Sequence, residues 1–177
     1  MSLLVKNILR FIILIIMQFY VLDKIHLHYM VTPYIYYLFI LWMPFQIPRG
    51  WQMVLAFLLG FTLDSFRHSP GFHAAACVLT AYFRPFLINI LLPQEGAETN
   101  YDEPSAKSLG GFMRYMIYAG ILTLLHHAWL FFLEAWNFAN FWYFIVKTLL
   151  STVISLLLIV ITEMLFARKQ KFKTNTA

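Results

Sequence analysis

Residues 51–92 read WQMVLAFLLGFTLDSFRHSPGFHAAACVLTAYFRPFLINILL. Two apolar runs, 51–66 and 72–92, flank the short polar stretch 67–71. A helix rises roughly 1.5 Å per residue, so each run is close to the length that crosses a hydrocarbon core of roughly 30 Å. Ser69-Pro70-Gly71 is typical of a tight turn. This stretch therefore predicts a hairpin of two membrane-spanning helices with almost no loop.

The apolar character of the hairpin extends over the whole chain. Of its 177 residues, 61% are apolar, 19% aromatic and 12% charged. A soluble domain usually has about 25% charged residues, and one of this size has too little interior to bury the apolar excess. The composition excludes a soluble enzyme and a disordered chain, and the single cysteine, Cys77, excludes a disulfide scaffold. We expect one polytopic membrane domain over residues 1–177.

Six apolar stretches are candidates for spanning helices, and none alternates as a barrel strand does. They cover residues 5–22, 29–47, 51–66, 72–92, 112–135 and 141–166. The predicted fold class is an all-α integral membrane protein, a bundle of six transmembrane helices. No small-residue cleavage site follows the first stretch, so we expect it to remain as a span. The acidic connection 93–111 contains Pro and Ser and predicts a solvated hinge.

Lysine and arginine residues set the predicted orientation. With the N-terminus inside, ten of them lie on the cytoplasmic side and three on the outer side. The cytoplasmic set is Lys6, Arg10, Arg49, Arg84, Lys107, Arg114, Arg168, Lys169, Lys171 and Lys173, and the outer set is Lys24, Arg67 and Lys147. We expect both termini, the loop 93–111 and the basic tail 167–177 in the cytoplasm. This bias, rather than a nucleic-acid partner, accounts for the net charge of +5.

Polar residues inside predicted spans are candidate functional residues, because charged groups in a membrane are costly. Those of the hairpin recur at helical spacing on both sides of its turn. They are Asp64, Arg67, His68, His73, Cys77, Thr80 and Arg84, with Gly60 on the same helix face as Asp64 and with Pro70 and Gly71 in the turn. Two interpretations stay open. Either Asp64 pairs with Arg67 or His68 and His73 caps the next helix or the Ser69-Pro70-Gly71 turn, or these groups face a partner or a gate. We expect Arg84 to extend toward the inner headgroups.

The last two spans carry weaker polar stripes. They consist of Gly120, Thr123, His127 and Glu134 in the fifth span and Lys147, Ser151, Ser155 and Thr162 in the sixth. Small and hydroxyl residues at this spacing favour close helix packing, and a substrate path is the alternative. We expect Glu134 and Lys147 to form an intramembrane pair near the outer surface. Tyr34, Tyr36 and Tyr37 are expected in the interfacial belt and in packing.

The sequence contains no recognisable catalytic or metal-binding motif. His26 and His28 lie in a loop, and the adjacent His126 and His127 point about 100° apart on a helix. No H-E-x-x-H, G-x-S-x-G or phosphate-binding loop is present. We therefore predict a protein that is not an enzyme and that has no cofactor, catalytic residue or metal site.

The segments Gly60-Phe61-Thr62-Leu63-Asp64 and Ser69-Pro70-Gly71-Phe72-His73-Ala74 resemble the signature of the rod shape-determining protein MreD family. In that family a G-x-x-x-D segment ends one span, and a Ser/Pro-Gly-x-His/Asn-Ala turn opens the next. The resemblance implies a multi-pass subunit of the bacterial inner membrane that supports peptidoglycan synthesis along the lateral wall and maintains cell shape. The implied partners are an MreC-like bitopic protein, a RodA-type glycosyltransferase with its transpeptidase and, indirectly, MreB-type filaments.

The MreD family is in turn similar in fold to the substrate-binding subunits of energy-coupling-factor vitamin transporters. That likeness supplies an alternative function, the binding of a small molecule for transport. A carrier is expected to arrange polar side chains around a cavity of about 300 Å³ or more under a loop, whereas a scaffold exposes an apolar groove between helices. The outer connections 23–28, 67–71 and 136–140 leave little material for a lid, which favours the scaffold.

Overall fold

The computed structural model describes residues 3–24, 31–92, 102–135 and 141–165. Its helices are α1 (Leu3–Ile16), α2 (Leu38–Leu41), α3 (Arg49–Arg67), α4 (Phe72–Leu91), α5 (Phe112–Glu134) and α6 (Phe141–Leu165). α1 continues through a π-helical turn, Met17–Val21, and a 3-10 turn, Leu22–Lys24. The prediction of an all-α fold is confirmed for the described residues, and so is the hairpin, since only residues 68–71 separate α3 from α4.

The described residues expose apolar groups and bury polar ones. Ile13, Phe86 and Leu157 are more than half exposed, whereas Gln18 and His126 are fully buried. This inverted distribution suits a lipid environment rather than water. Four helical segments are long and apolar enough to cross a membrane, namely Val5–Lys24, Phe72–Leu91, Phe112–Glu134 and Phe141–Leu165. They indicate a membrane protein.

α3 is not among these four segments although it has 19 residues. Gln52, Asp64 and an arginine at each end lower its mean hydropathy. Its polar residues are explained by the contacts that they make inside the protein, which are described below. A helix of this kind is stable in a membrane when its polar face is covered by neighbouring helices.

The helix predicted over residues 29–47 is wrong. In its described part, residues 31–47, only the four residues of α2 form an α-helix, and we name residues 31–47 the central passage. Every residue from Tyr34 to Met43 is at most 7% exposed. Pro33 and Pro44 bound this buried stretch, and a proline inside a helix removes a backbone donor and clashes with the preceding turn. A count of six spanning helices is therefore not confirmed.

The central passage runs alongside α1 in the opposite direction. The N–H of Ile35 donates to Oε1 of Gln18 at 2.9 Å, beyond the end of α1. Further along the passage, the guanidinium of Arg10 lies 5.4 Å from the centre of the Trp42 ring. Gln18 and Arg10 are two turns apart on the same helical segment. The passage therefore crosses the interior of the bundle rather than its surface.

Side chains from other helices satisfy the backbone of the central passage where it enters the bundle. Ser151 and Ser155 of α6 accept hydrogen bonds from the N–H groups of Thr32 and Tyr34, both at 3.0 Å. Gln18 accepts from the N–H of Ile35 and donates to the carbonyl of Pro33 at 3.2 Å. In lipid no water replaces such partners, so they are required for an extended segment.

At its other end the central passage is held through its carbonyl groups. The Tyr118 hydroxyl donates to the carbonyl of Leu41 at 2.9 Å, and Arg84 donates to the carbonyl of Met43. These carbonyls lie at the end of the single turn of α2 and just beyond it, where no following helical turn supplies an N–H donor. We name residues 17–24, which continue α1, the α1 extension. The backbone of the central passage is thus bonded by α6 and the α1 extension at one end and by polar residues of α4 and α5 at the other.

The solvated hinge predicted over residues 93–111 is wrong for the part that the structure describes, residues 102–111. Leu109 is fully buried, and the buried Glu103 accepts hydrogen bonds from Lys6 at 3.3 Å and from Arg10 at 2.7 Å. These two cations of α1 neutralise the carboxylate, which allows its neighbours to pack on the bundle. Residues 93–101 and the predicted basic tail 167–177 lie outside the described residues.

Ser155→Ala is expected to lower the free energy of unfolding by about 1–3 kcal/mol, because it leaves the buried N–H of Tyr34 and the ring of His127 without this partner. The measurement is the midpoint of thermal unfolding in a fixed detergent. Ser65→Ala is the matched control, because the Ser65 hydroxyl is exposed and bonds the carbonyl of Phe61 in its own helix. Equal midpoints for the two variants would contradict the role assigned to Ser155.

Candidate functional site

Asp64 caps the N-terminus of α4 from the neighbouring helix. Its Oδ1 accepts from the N–H of His73 at 3.1 Å and from the Ser69 hydroxyl, and its Oδ2 accepts from the N–H of Ala74 at 2.8 Å. The residue that precedes α4, Gly71, has no side chain for this purpose. A carboxylate at this place satisfies unpaired N–H groups and meets the positive end of the helix dipole.

Gly60 allows α3 to lie against the first turn of α4. A Cβ atom at Gly60 would lie 2.4 Å from Cα of Ala74 and 2.5 Å from the carbonyl oxygen of His73. Gly71 has a φ of 95°, in the left-handed region that glycine adopts without strain. The spacing of Gly60 and Asp64 therefore places a close helix contact and a helix cap one turn apart on the same face.

Asp64 forms an ion pair with neither Arg67 nor His68, so that part of the first interpretation is wrong. Its carboxylate is already engaged by the first turn of α4. His68 ends α3 in a left-handed conformation, with a φ of 54°, and its side chain is exposed. His73 lies in the first turn of α4, where its own N–H is capped, and its ring takes part in a separate network.

Arg67 turns away from Asp64 and binds the end of the α1 extension. Its guanidinium makes two hydrogen bonds to Asp23, one of them 2.9 Å long from Nε to Oδ2. It also donates to the Tyr34 hydroxyl at 3.0 Å and lies 3.3 Å from Nε2 of His73. A bidentate pair of this kind fixes the orientation of the guanidinium as well as its charge. Arg67 thus joins α3, the α1 extension and the central passage.

A buried series of hydrogen bonds leads from Arg67 into the centre of the bundle. Nδ1 of His73 lies 2.8 Å from the Tyr36 hydroxyl, which lies 2.9 Å from Nε2 of His126. Arg67 can only donate, so a neutral His73 accepts at Nε2 and donates from Nδ1, and Tyr36 then donates to His126. Nδ1 of His126 is buried and has no hydrogen-bond partner among the described residues.

A second cluster joins α5 and α6 to the central passage. His127 donates from Nδ1 to the carbonyl of Thr123 at 2.8 Å, and its Nε2 lies 3.2 Å from the Ser155 hydroxyl. Tyr37 donates to the Thr123 hydroxyl at 3.0 Å. The two polar stripes predicted on these helices therefore meet directly at the contact between His127 and Ser155, which is fully buried.

Arg84 points into the protein, so its predicted extension toward the headgroups is wrong. Its side chain is among the most deeply buried in the described residues, with an exposure of 1%. Nε donates to the Tyr118 hydroxyl at 3.1 Å, Nη1 donates to Oε1 of Gln52 at 2.9 Å, and Nη2 donates to the carbonyl of Met43. The Met43 carbonyl needs a donor inside the protein, and this need explains the inward orientation of Arg84.

An open groove of about 1,200 Å³ runs along the outer side of the hairpin. Its polar lining comes from the end of α3 and the turn, and its apolar lining from α3, α4 and one residue of α5. The polar residues include Asp64, Ser65, His68 and Ser69, and the apolar ones include Phe57, Phe61, Pro70, Ala75, Val78, Leu79 and Trp129. The hairpin thus presents one face to the buried networks and another face to its surroundings.

Several residues of the buried networks were not predicted from the sequence. Tyr34 and Tyr36 were expected in the interfacial belt and in packing, whereas both are buried and hydrogen-bonded, and the roles of Gln18, Asp23 and His126 were not foreseen. The available signals were the prolines inside the predicted second span and a lone glutamine in the first. Glu134 and Lys147, by contrast, form the expected contact, with 3.0 Å between Oε2 and Nζ.

Gly60→Ala is expected to lower the thermal unfolding midpoint in detergent. The added methyl group meets backbone atoms of α4 and so separates the Asp64 carboxylate from the N–H groups of His73 and Ala74. Overpacking of this kind costs about 1–3 kcal/mol. Gly50→Ala is the matched control, since it lies in the first turn of α3 with nothing within 4 Å of its Cβ position. A midpoint for Gly60→Ala as high as that of Gly50→Ala would show that the close contact is not required.

The described side chains form hydrogen-bonded networks and an open groove. Within residues 3–24, 31–92, 102–135 and 141–165, no group of three or more His, Cys, Asp or Glu residues could hold a metal ion. Comparisons with protein-family models, with curated proteins and with solved structures gave no match to this chain.

Proposed function

We propose that this chain is a non-enzymatic membrane subunit of the bacterial cell-elongation machinery that binds an MreC-like bitopic protein. In this role it supports peptidoglycan synthesis along the lateral wall, together with a RodA-type glycosyltransferase and its transpeptidase, and connects indirectly to MreB-type filaments. The observation that carries the proposal is the open groove beside the hairpin that resembles the MreD signature. The protein then lies in the inner membrane with both termini in the cytoplasm.

The dimensions of the groove suit one transmembrane helix of a bitopic partner. Its lining extends from Gly71, just before α4, to Tyr82 on α4, which corresponds to about 16 Å along a helix. Gly71 and Ala75, four positions apart, lie along this part of the lining. Small residues at such spacing let two helices approach closely, and close packing is what drives helix association in lipid.

The polar end of the groove supplies a means of selecting the partner. Ser65 and His68 are exposed there, and both line the groove. Hydrogen bonds between helices in a membrane contribute about 0.6 to 2 kcal/mol each, so two such groups discriminate between apolar helices of similar shape. Under the proposed orientation this polar end lies at the outer surface, where a spanning helix of the partner leaves the bilayer.

A vitamin-type carrier is the alternative function, and the packing of the central networks disfavours it. A carrier needs polar side chains that face an enclosed cavity, commonly of about 300–1,000 Å³. Tyr36, His73 and His126 are at most 2% exposed, and they are hydrogen-bonded to one another. Apart from Nδ1 of His126, the polar groups of this network are therefore already hydrogen-bonded within the protein.

Val78→Trp is expected to reduce the recovery of the MreC-like protein by about tenfold or more, because the indole fills the groove where the partner helix packs. The measurement is affinity purification of the tagged chain from its native host in mild detergent, with mass spectrometry of the partner per molecule of tagged chain. Val153→Trp is the matched control, because Val153 is 55% exposed on α6 and does not line the groove.

Equal recovery of the MreC-like protein with the two tryptophan variants would exclude the groove as its binding site. Recovery of a transporter ATPase and its coupling membrane subunit, in place of elongation proteins, would overturn the scaffold proposal. It would support the alternative of a carrier subunit.

A further inference from the structure

Among the described residues, three partly buried cations have carboxylate partners, whereas the fully buried Arg84 does not. The three pairs are Arg10–Glu103, Arg67–Asp23 and Lys147–Glu134. Arg84 is buried more deeply than any of them, yet within the described part of the chain no carboxylate lies within ion-pairing distance of it. An unpaired charge in such surroundings is unfavourable, so this residue needs an explanation.

The partners of Arg84 orient its guanidinium without neutralising its charge. It donates to the Tyr118 hydroxyl, to the Gln52 amide oxygen and to the carbonyl of Met43. All three acceptors are uncharged. A guanidinium carries five N–H groups, and these three bonds leave two of them for a further acceptor. Arg84 is therefore held in a fixed orientation, but its charge is not neutralised and two of its N–H groups remain available.

A half-open cavity of about 280 Å³ has Arg84 in its lining. Arg84 and Gln52 line it together with Gln46 and Asn89, whose side chains are exposed, and its other walls are apolar. The volume is close to the lower end of small-ligand sites, which begin at about 300 Å³. The cavity thus combines a buried cation, amide groups and an opening to the outside.

The cavity lies at the end of the bundle where α1 begins. Phe45 lines the cavity, and its N–H donates to the carbonyl of Asp102 at 3.0 Å. The next residue, Glu103, binds Lys6 and Arg10 near the start of α1. Lys6, Arg10 and Glu103 therefore place this end of the bundle at the charged start of the first apolar segment.

We propose that Arg84 and this cavity form a binding site for a phosphate-bearing anion. The planar guanidinium matches phosphate oxygens with two parallel N–H bonds, and such charge-assisted bonds are stronger than neutral ones. The exposed amides of Gln46 and Asn89 also line the cavity; the Gln46 amide donates one hydrogen bond to the Asp102 carboxylate at 3.1 Å, and the Asn89 amide provides a further donor. An anionic phospholipid headgroup and free phosphate share this chemistry.

The test compares two tryptophan variants of adjacent residues. Asn89→Trp places an indole at the mouth of the cavity, whereas Ile90→Trp changes a residue that is 61% exposed and does not line it. The probe is phosphatidylglycerol added to the purified full chain in detergent, and native mass spectrometry counts the lipid retained per protein. We expect Asn89→Trp to reduce this retention about tenfold relative to Ile90→Trp, which corresponds to about 1.4 kcal/mol.

A second titration distinguishes the two sources of phosphate. Inorganic phosphate is added to lipid-depleted protein, and the thermal midpoint is measured for both tryptophan variants. A rise for Ile90→Trp but not for Asn89→Trp identifies free phosphate as a ligand, whereas retention of phosphatidylglycerol without such a rise identifies the headgroup. Either result supports the site. If the two variants behave alike in both titrations, the proposal is overturned.

Arg84→Gln tests the charge itself and is expected to abolish the difference between phosphatidylglycerol and the net-neutral phosphatidylcholine in the same retention measurement. Because this substitution also removes hydrogen bonds to the central passage, its fold is checked by circular dichroism and gel filtration. If the variant does not fold, the comparison of Asn89→Trp with Ile90→Trp still decides the proposal, since neither of those residues bonds the passage. Unchanged lipid preference in a folded Arg84→Gln variant would overturn the proposed role of the guanidinium.

Discussion

The backbone of the central passage must find its hydrogen-bond partners inside the protein, and many of the buried polar residues meet this requirement. A helix satisfies its own N–H and carbonyl groups, whereas an extended segment in a membrane does not, and each unsatisfied group costs several kcal/mol. Ser151, Ser155 and Gln18 supply partners at one end of the passage, and Arg84 and Tyr118 supply them at the other. Polar side chains from distant parts of the sequence therefore converge on one segment.

The α3–α4 hairpin connects this interior to the outer surface. Gly60 and Asp64 fix the first turn of α4, and the capped turn places the His73 ring against Tyr36 of the passage. Ala75, on the same helix, instead lines the open groove. One local motif thus holds the central networks in place and shapes the surface that we assign to a partner helix. A substitution that disturbs the cap is therefore expected to affect both.

The parts of the fold that could be predicted are those with local signals. The hairpin follows from two apolar runs joined by Ser69-Pro70-Gly71, whereas hydropathy does not distinguish a spanning helix from a buried extended segment. Pro33 and Pro44 were the signals against a helix there. The partners of the charged residues could not be predicted, because Arg67 meets a carboxylate 44 positions away and Arg84 meets a carbonyl 41 positions away. Such contacts arise only when the helices have packed.

The hydrogen bonds between the central passage and α6 also bear on how the chain is made. A completed helix can leave the translocon by itself, because its backbone needs nothing further. Thr32 and Tyr34 instead bond to residues 119 and 121 positions later, in the last of the described helices. The passage is thus synthesised long before its partners and has to stay shielded until α6 emerges. A chain whose synthesis stops before Ser151 leaves the N–H groups of Thr32 and Tyr34 without these acceptors, so the passage is suited to lipid only once α6 is in place.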